Sequence, residues 1–250
     1  MIGPCDPGPP LPILYLDDRL VAVHKSAGLL VHRTSLDRGE TRFALQSVRD
    51  QLGRRVFPVH RLDRATSGVL LFALDPETAA RLGDQFAAGR VEKNYLAVVR
   101  GWTPERLTID HPLTETDPRA RDPRSGPPAP QSAVTRLVRL ATGELPIPHS
   151  SHPTCRYSLV RLTPETGRRH QLRRHLKHVF HPIIGDTTHG DGWHNRLFRS
   201  EFACDRLLLA SVRLSFAHPF TGEPLVIAAP PEESMARVLF RIPGLESRPI

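Results

Sequence analysis

Eight residues, 67–74 (SGVLLFAL), run without a charge straight out of the charged stretch His60-Arg61-Leu62-Asp63-Arg64-Ala65-Thr66. The run is far shorter than the ~20 apolar residues a membrane helix needs. It is also too continuous for a strand with one wet face, so it predicts a strand buried on both sides. A carboxylate placed just ahead of such a strand is rigidly held.

The rest of the chain supplies partners for that strand. Residues 13–24 read as a hairpin, ILYL and LVAVH around a turn at Asp17-Asp18-Arg19, and Lys25-Ser26-Ala27-Gly28 reads as a second turn. Residues 41–52 have helical spacing, with Phe43, Leu45, Val48 and Leu52 on one broad apolar face. Residues 76–88 predict a helix, with Pro near its start and Gly89 after its end. Residues 91–99 alternate as a strand. Residues 132–140 and 155–162 are further strands around a polar loop at 142–154. Residues 168–180 predict a basic helix, and 206–216 and 225–229 a closing strand pair across Phe220-Thr221-Gly222-Glu223. Little remains after Ala229. Strands throughout with few helices between them indicate an α+β fold with a mixed, largely antiparallel sheet rather than a doubly wound one. The Pro/Gly-rich residues 1–12 read as a flexible segment, and 117–131, with five prolines and no large apolar side chain, as a surface loop. A single domain over 13–250 with no appended RNA-binding module is expected.

The start of the chain lacks a basic region followed by an apolar core, so it does not read as a secretory signal. Three cysteines, Cys5, Cys155 and Cys204, are odd in number and far apart, which argues against a disulfide framework or a CxxC zinc site and for a reducing, cytoplasmic setting. The formal net charge is +8, and of the 34 basic residues only Lys25, Lys93 and Lys177 are lysine. Guanidinium groups bind phosphate bidentately and stack on bases, so an arginine-rich surface suits RNA. A GC-rich genome would raise the arginine count as well, but not decide where the arginines fall.

Two stretches place them. Arg61 and Arg64 flank Asp63, although a loop aspartate taken alone is more commonly half of a surface ion pair. Residues 166–185 (TGRRHQLRRHLKHVFHPIIG) contain no acid at all but carry Arg168, Arg169, Arg173, Arg174 and Lys177. A merely solvated face mixes signs; an acid-free basic run points to anion contact. On one helix Arg169 and Arg173 would share a face, while Leu172, Leu176 and Val179 would share an apolar one. His170, His175, His178 and His181 lack the i, i+4 spacing and neighbouring acid of a zinc helix, and five fixed positive charges would repel a cation, so no metal is expected. No GxSxG, GxxxxGK[ST] or GxGxxG occurs, so neither a serine hydrolase nor a nucleotide cofactor is indicated. Tyr95, one of three tyrosines, follows Glu92-Lys93-Asn94; it reads as an ordinary strand aromatic or as a stacking platform for an unpaired base.

Taken together, these pieces resemble the RluA-type pseudouridine synthases from about residue 13 to 229. The matching segments follow the family's order: DDRLVAVHKSAGLLVH, HRLDRATSGVLLFA, VEKNYLAVVRG, TPETGRRHQLRRHLKHVFHPIIGDTTHGD and RLLLASVRLSFAHPFTGEPL. LLVHRTSLDRGE, PQSAVT and HPIIGDTTHGDGWHNR are similar to the branch acting on transfer RNA, at uridine 65, rather than to the ribosomal RNA branches. The resemblance implies the pseudouridine synthase fold, a mixed sheet with flanking helices and loops around an RNA-binding cleft. It implies an isomerase without metal or cofactor, a tRNA partner reached by base flipping, and a monomer.

Residue by residue, Asp63 matches the catalytic aspartate, Tyr95 the tyrosine that packs on the target base, and Arg173 the basic partner of the aspartate. Leu209 matches the apolar residue on the other side of the base, and Arg61 the position that contacts the RNA opened by extrusion. Arg64, Arg168, Arg169, His170 and Arg174 are the expected further RNA contacts. Ser26 replaces the usual Pro of a Lys-Pro-x-Gly turn, His189 stands where Tyr is common, and Ala210-Ser211 follow Leu209 where His-Ala is common.

Overall fold

The computed structural model describes residues 9–32, 41–115 and 128–246. Among these, the elements in chain order are β1 (Ile13–Leu16), β2 (Leu20–Lys25), α1 (Ala44–Leu52), β3 (Phe57–Pro58), β4 (Ser67–Ala73), α2 (Pro76–Ala87), β5 (Glu92–Arg100), β6 (Arg106–Asp110), β7 (Val134–Leu145), β8 (Cys155–Pro164), α3 (Gln171–His178), α4 (Gly192–Phe202), β9 (Leu209–Ala217), β10 (Pro224–Ala228) and α5 (Glu233–Arg241). The fold is α+β and its strand pairs are mostly antiparallel, while β4 and β9 run parallel. The chain divides into two compact units, Met1–Lys93 with Leu209–Glu232, and Asn94–Leu208 with Glu233–Ile250.

In the first unit the strand order is β1-β2-β4-β9, with β3 against β4 and β10 against β9. All seven residues of β4 are buried, as the uncharged run requires. Val69, Leu71 and Ala73 of β4 pack with Leu20 and Ala22 of β2, Leu214 and Phe216 of β9, and Leu82 of α2. Helix α2 starts where Asp75 caps it, accepting from the Thr78 amide at 2.8 Å, with Pro76 in the first turn, where its missing N–H costs nothing. The parallel contact of β4 with β9 depends on Gly68. Its φ is +111°, and a Cβ there would sit 2.0 Å from the Ser211 carbonyl oxygen.

In the second unit the order is β5-β8-β7-β6. Tyr95, Leu162 and Leu137 lie in one row across β5, β8 and β7. Side chains two apart share a face, so Thr135 is on that face too, and α3 is fastened to it. Gln171 Nε2 donates to Thr135 Oγ1 at 3.0 Å and to the Val134 carbonyl at 2.9 Å, and a His175 ring nitrogen lies 3.0 Å from the same Thr135 hydroxyl. Helix α4 begins at Asp191, which accepts from the Trp193 amide, and sets Phe198 edge-on to buried Tyr157 with ring centroids 5.0 Å apart. Helix α5 buries Met235, Val238 and Leu239.

Several expectations are corrected. The basic helix expected over 168–180 is only Gln171–His178, because His170 takes a left-handed φ of +53° and breaks the helical path. Arg169 therefore does not share a helix face with Arg173. The strand expected to stop at 140 continues to Leu145 through a register shift between Arg139 and Ala141, and the polar loop starts after it; the bulge absorbs the break in alternation that had marked an end. In β5, Leu96–Val99 are buried on both faces rather than alternately. The closing strand starts at Leu209, not at 206, and the first helix at Ala44, not at 41. Elements β3, β6, α4 and α5 have no counterpart in the sequence reading, α5 falling in the short stretch after Ala229. Residues 1–8, 33–40 and 116–127 lie outside the described residues, so most of the expected flexible start and of the proline-rich loop does as well. Of the start, Leu11 is buried, and its amide and carbonyl bond the Gln51 side chain at 3.0 and 3.1 Å.

Candidate active site

In the first unit the site residues gather on the loop between β3 and β4. Strand β3 pairs with β4 only as far as Pro58. His60 then takes over: its Nε2 accepts the Leu71 amide at 2.9 Å, where a strand carbonyl would otherwise be needed. The ring lies flat on Phe86, centroids 5.0 Å apart. Burial, with the Lys93 charge nearby, takes this imidazole down to about 3. It is therefore neutral, and a neutral ring accepting at Nε2 carries its proton on Nδ1.

Three residues on, Asp63 is half-buried, and its carbonyl accepts the Thr66 amide at 3.0 Å, closing a turn into β4. The next residue is clasped from the other side. The Lys25 ammonium is wholly buried and donates to the carbonyls of Ser26 (2.9 Å), Leu29 (2.8 Å) and Arg64 (3.1 Å). The Gly28 amide reaches the same Arg64 carbonyl at 2.9 Å, and Arg64 Nε returns a bond to the Gly28 carbonyl at 3.0 Å. Three donors thus meet three carbonyls, the arrangement that makes a buried ammonium tolerable. Arg61 and Arg64 keep exposed side chains. Leu209, buried, directly precedes Ala210, which stands opposite Ser67 at the end of this loop.

In the second unit Tyr95 is half-buried on the sheet face that carries α3. Arg173 of α3 is buried and doubly bonded to Asp186: Nε to Oδ2 at 2.7 Å and a terminal nitrogen to Oδ1 at 2.8 Å. Asp186 also accepts the amides of Thr188 and His189, each at 2.9 Å. Burial pushes this carboxyl up, but the Arg173 guanidinium and the two amides more than offset it and hold it below its ordinary value. Gly190 is required there, since a Cβ would lie 2.2 Å from the Asp186 carbonyl oxygen. A His170 ring nitrogen lies 3.1 Å from His189 Nε2. Ahead of the helix, Arg168 Nε bonds the Ser132 carbonyl at 3.1 Å and Arg169 is half-buried; within it, Arg174 bonds the Thr114 carbonyl at 2.9 Å. The four histidines of the basic run do not converge on one point: His175 bonds Thr135 and the His111 carbonyl, His178 stacks on the His111 ring, His181 meets the Arg100 carbonyl, and His170 meets His189. Among the described residues no three His, Cys, Asp or Glu are placed to hold a metal.

Thus Arg61, Asp63, Arg64 and Leu209 belong to one unit, and Tyr95, Arg168, Arg169, His170, Arg173 and Arg174 to the other. Sequence reasoning missed Asp186, whose one visible signal was being the first acid after twenty acid-free residues. It also missed the clasp made by Lys25 and the anchor made by His60.

The model of the RNA pseudouridylate synthase family matches residues 19–178, spanning the clasp, the aspartate loop, the tyrosine strand and α3. The chain belongs to the RNA pseudouridylate synthase family. It is an isomerase that converts uridine into pseudouridine. Curated relatives agree. The chain is 52% identical over 224 residues to the tRNA pseudouridine synthase C of Vibrio cholerae, covering 88% of this chain and 90% of the relative. It is 50% identical over 232 residues to that of Vibrio parahaemolyticus, covering 92% and 94%. Among solved structures it resembles human RNA pseudouridylate synthase domain containing 1, with a TM-score of 0.67 at 29% identity over 88% of this chain and 83% of that one. Human RNA pseudouridylate synthase domain containing 4 gives a TM-score of 0.69 at 25% identity over 92% of both chains. The expected pseudouridine synthase fold is the fold observed.

Proposed function

We propose that this RNA pseudouridylate synthase acts on transfer RNA, at uridine 65, through the carboxylate of Asp63. The observation that supports the tRNA substrate is the 50–52% identity, over about nine-tenths of both chains, to proteins named tRNA pseudouridine synthase C. The choice of uridine 65 rests on the branch-like segments LLVHRTSLDRGE, PQSAVT and HPIIGDTTHGDGWHNR.

The reaction breaks N1–C1′ of the uridine, turns the uracil, and forms C5–C1′. The proton at C5 leaves and N1 gains one, so product and substrate are isomers and the balance needs no oxidant, reductant or energy-rich donor. Asp63 is the nucleophile in this reading, on a loop held by the Lys25 clasp and by His60. Arg173 favours an ionised partner and is itself held by Asp186. Tyr95 and Leu209 pack on the two sides of the flipped uracil. The target nucleotide has to leave its stack, at a cost of a few kcal/mol, and Arg61 fills the opening while Arg64, Arg168, Arg169, His170 and Arg174 hold phosphates. The enzyme works as a single catalytic domain over 13–250, as a monomer, in the cytoplasm, with no metal or cofactor. Among the described residues no helix is long and apolar enough to cross a membrane.

The test uses RNA tritiated at uracil C5, taken from cells lacking the gene. Wild-type protein should release tritium from tRNA, and Asp63→Asn should release none while still binding. Release from ribosomal RNA alone would keep the chemistry and discard the tRNA substrate. Binding without release from either would make the chain an RNA-binding or assembly protein of this fold.

A further inference from the structure

Helix α3 ends on a residue whose conformation and exposure are both unfavourable, and no reading so far uses it. The last turn closes with two hydrogen bonds: the His181 amide to the Leu176 carbonyl at 2.9 Å, and the Phe180 amide to the Lys177 carbonyl at 3.1 Å. This is the Schellman arrangement, and it places Phe180 at the position where the backbone must be left-handed and glycine is the usual occupant. Phe180 has φ +65°, a true outlier for a bulky side chain. Its ring gains nothing from packing in return, being 79% exposed. Nor is the loop loose. Arg100 donates to the Phe180 carbonyl at 3.3 Å, the His181 ring bonds the Arg100 carbonyl at 2.8 Å, and the Arg100 amide reaches the Pro182 carbonyl at 3.0 Å. An aromatic side chain is therefore held out to solvent on a rigid corner at a site where glycine would be less strained. Lys177 and His178, both exposed, precede it in the chain, while Arg100 beneath it is ion-paired with Asp191.

We propose that Phe180 is a stacking platform for a base of the substrate RNA outside the reacting nucleotide. Every base has an apolar face, and basic residues beside an exposed ring supply contacts for the phosphates that flank it. Phe180 follows the end of the helix that carries Arg173, which rises only about 8 Å from Arg173 to its last residue, His178, so the base it meets is a near neighbour of the reacting uridine. The inference rests on the reading of this protein as a tRNA-modifying enzyme.

The test compares Phe180→Gly, Phe180→Leu and Phe180→Tyr with wild type, by equilibrium binding to a tRNA transcript and by steady-state tritium release. Phe180→Gly should fold normally and melt at a higher temperature than wild type, because glycine relieves the left-handed residue. It should nevertheless bind tRNA about tenfold more weakly, as loss of one stacked base predicts, with KM raised in step and kcat unchanged. Phe180→Leu should bind as weakly as Phe180→Gly, and Phe180→Tyr should bind like wild type. A Phe180→Gly affinity within twofold of wild type would overturn the proposal and leave the ring to some other partner. Equal rescue by Leu and Tyr would also overturn it, since a plain apolar contact would then suffice. If wild-type protein neither binds nor modifies tRNA, it is the tRNA reading that fails, and the same three variants on the RNA that is modified decide the role of Phe180.

Discussion

Single residues here hold position more than they hold charge. Lys25, read from sequence as a basic side chain at a turn, turns no charge toward solvent; its ammonium is spent on three carbonyls beside Asp63. Arg173, from a run read as anion-binding, is bonded to Asp186. Removing one partner of a buried ion pair costs about 3–5 kcal/mol, because the other is left without compensation. Asp186→Asn, which keeps the shape but not the charge, should therefore lose about 3 kcal/mol in urea unfolding at pH 7. Because the folded Asp186 sits below its ordinary value, its contribution is present at neutral pH and is lost as pH falls through that lowered value. The gap between Asp186→Asn and wild type should narrow in acid below about pH 4. A gap that stays constant down to the acid transition would show that the carboxylate charge is not what Arg173 needs. Arg173→Lys should not restore activity, since one ammonium cannot make the two parallel bonds to Asp186.

Elements are set by what each must touch. Strand β4 was legible because an uncharged run of its length has one stable destination. Helix α3 was legible in its centre but not at its ends. Its start is decided by Gln171, whose Oε1 accepts from Thr166 Oγ1 (2.7 Å) and from the Arg168 amide (3.0 Å) while its Nε2 donates to β7. A buried amide with all of its hydrogen bonds made outweighs the intrinsic preference of Arg168 and Arg169 to continue a helix. The β4–β9 pairing rests on Gly68 in the same way. Gly68→Ala adds a methyl where the Ser211 carbonyl already lies and asks for a left-handed alanine. It should cost more than about 3 kcal/mol, at the upper end for single substitutions, read as a fall in melting temperature of the order of 10 °C. A variant melting within a few degrees of wild type would show that the two strands can move apart without penalty.

For the whole molecule, one property follows from buried histidines and another from net charge. Four histidines, His60, His175, His189 and His194, are held below their ordinary value, with burial the largest cause in each; His60 falls to about 3 and His194 to about 4. The unfolded chain takes up protons near pH 6.5 that these folded rings refuse, so stability is full above that pH and falls as pH drops below it. Each refusing ring contributes at most about 1.4 kcal/mol per pH unit. The urea midpoint should thus be lower at pH 5.5 than at pH 7.5, a range in which ordinary carboxylates do not titrate. An equal midpoint would mean that the rings become protonated in place. The net charge of +8 makes RNA binding salt-dependent. Arg169→Ala should weaken tRNA binding and reduce the slope of log affinity against log salt by about one, leaving turnover at saturation little changed. An unchanged slope would remove Arg169 from the phosphate contacts.

The amino-acid order by itself determined the buried strand β4, the hairpin of β1 and β2, and helix α2 between Pro76 and Gly89. These are local signals, in which apolar period and the residues at helix ends act within a few positions. Only the tertiary structure decided that Lys25 serves Arg64, thirty-nine residues away, that Asp186 is the carboxylate of Arg173, and that His60 completes the edge of β4. It also decided where β7, α3 and α5 end, because a bulge, a buried amide and an apolar helix face take their stability from partners distant in the chain. A buried polar group needs a specific partner, and which partner arrives depends on how the strands pair rather than on the residues beside it.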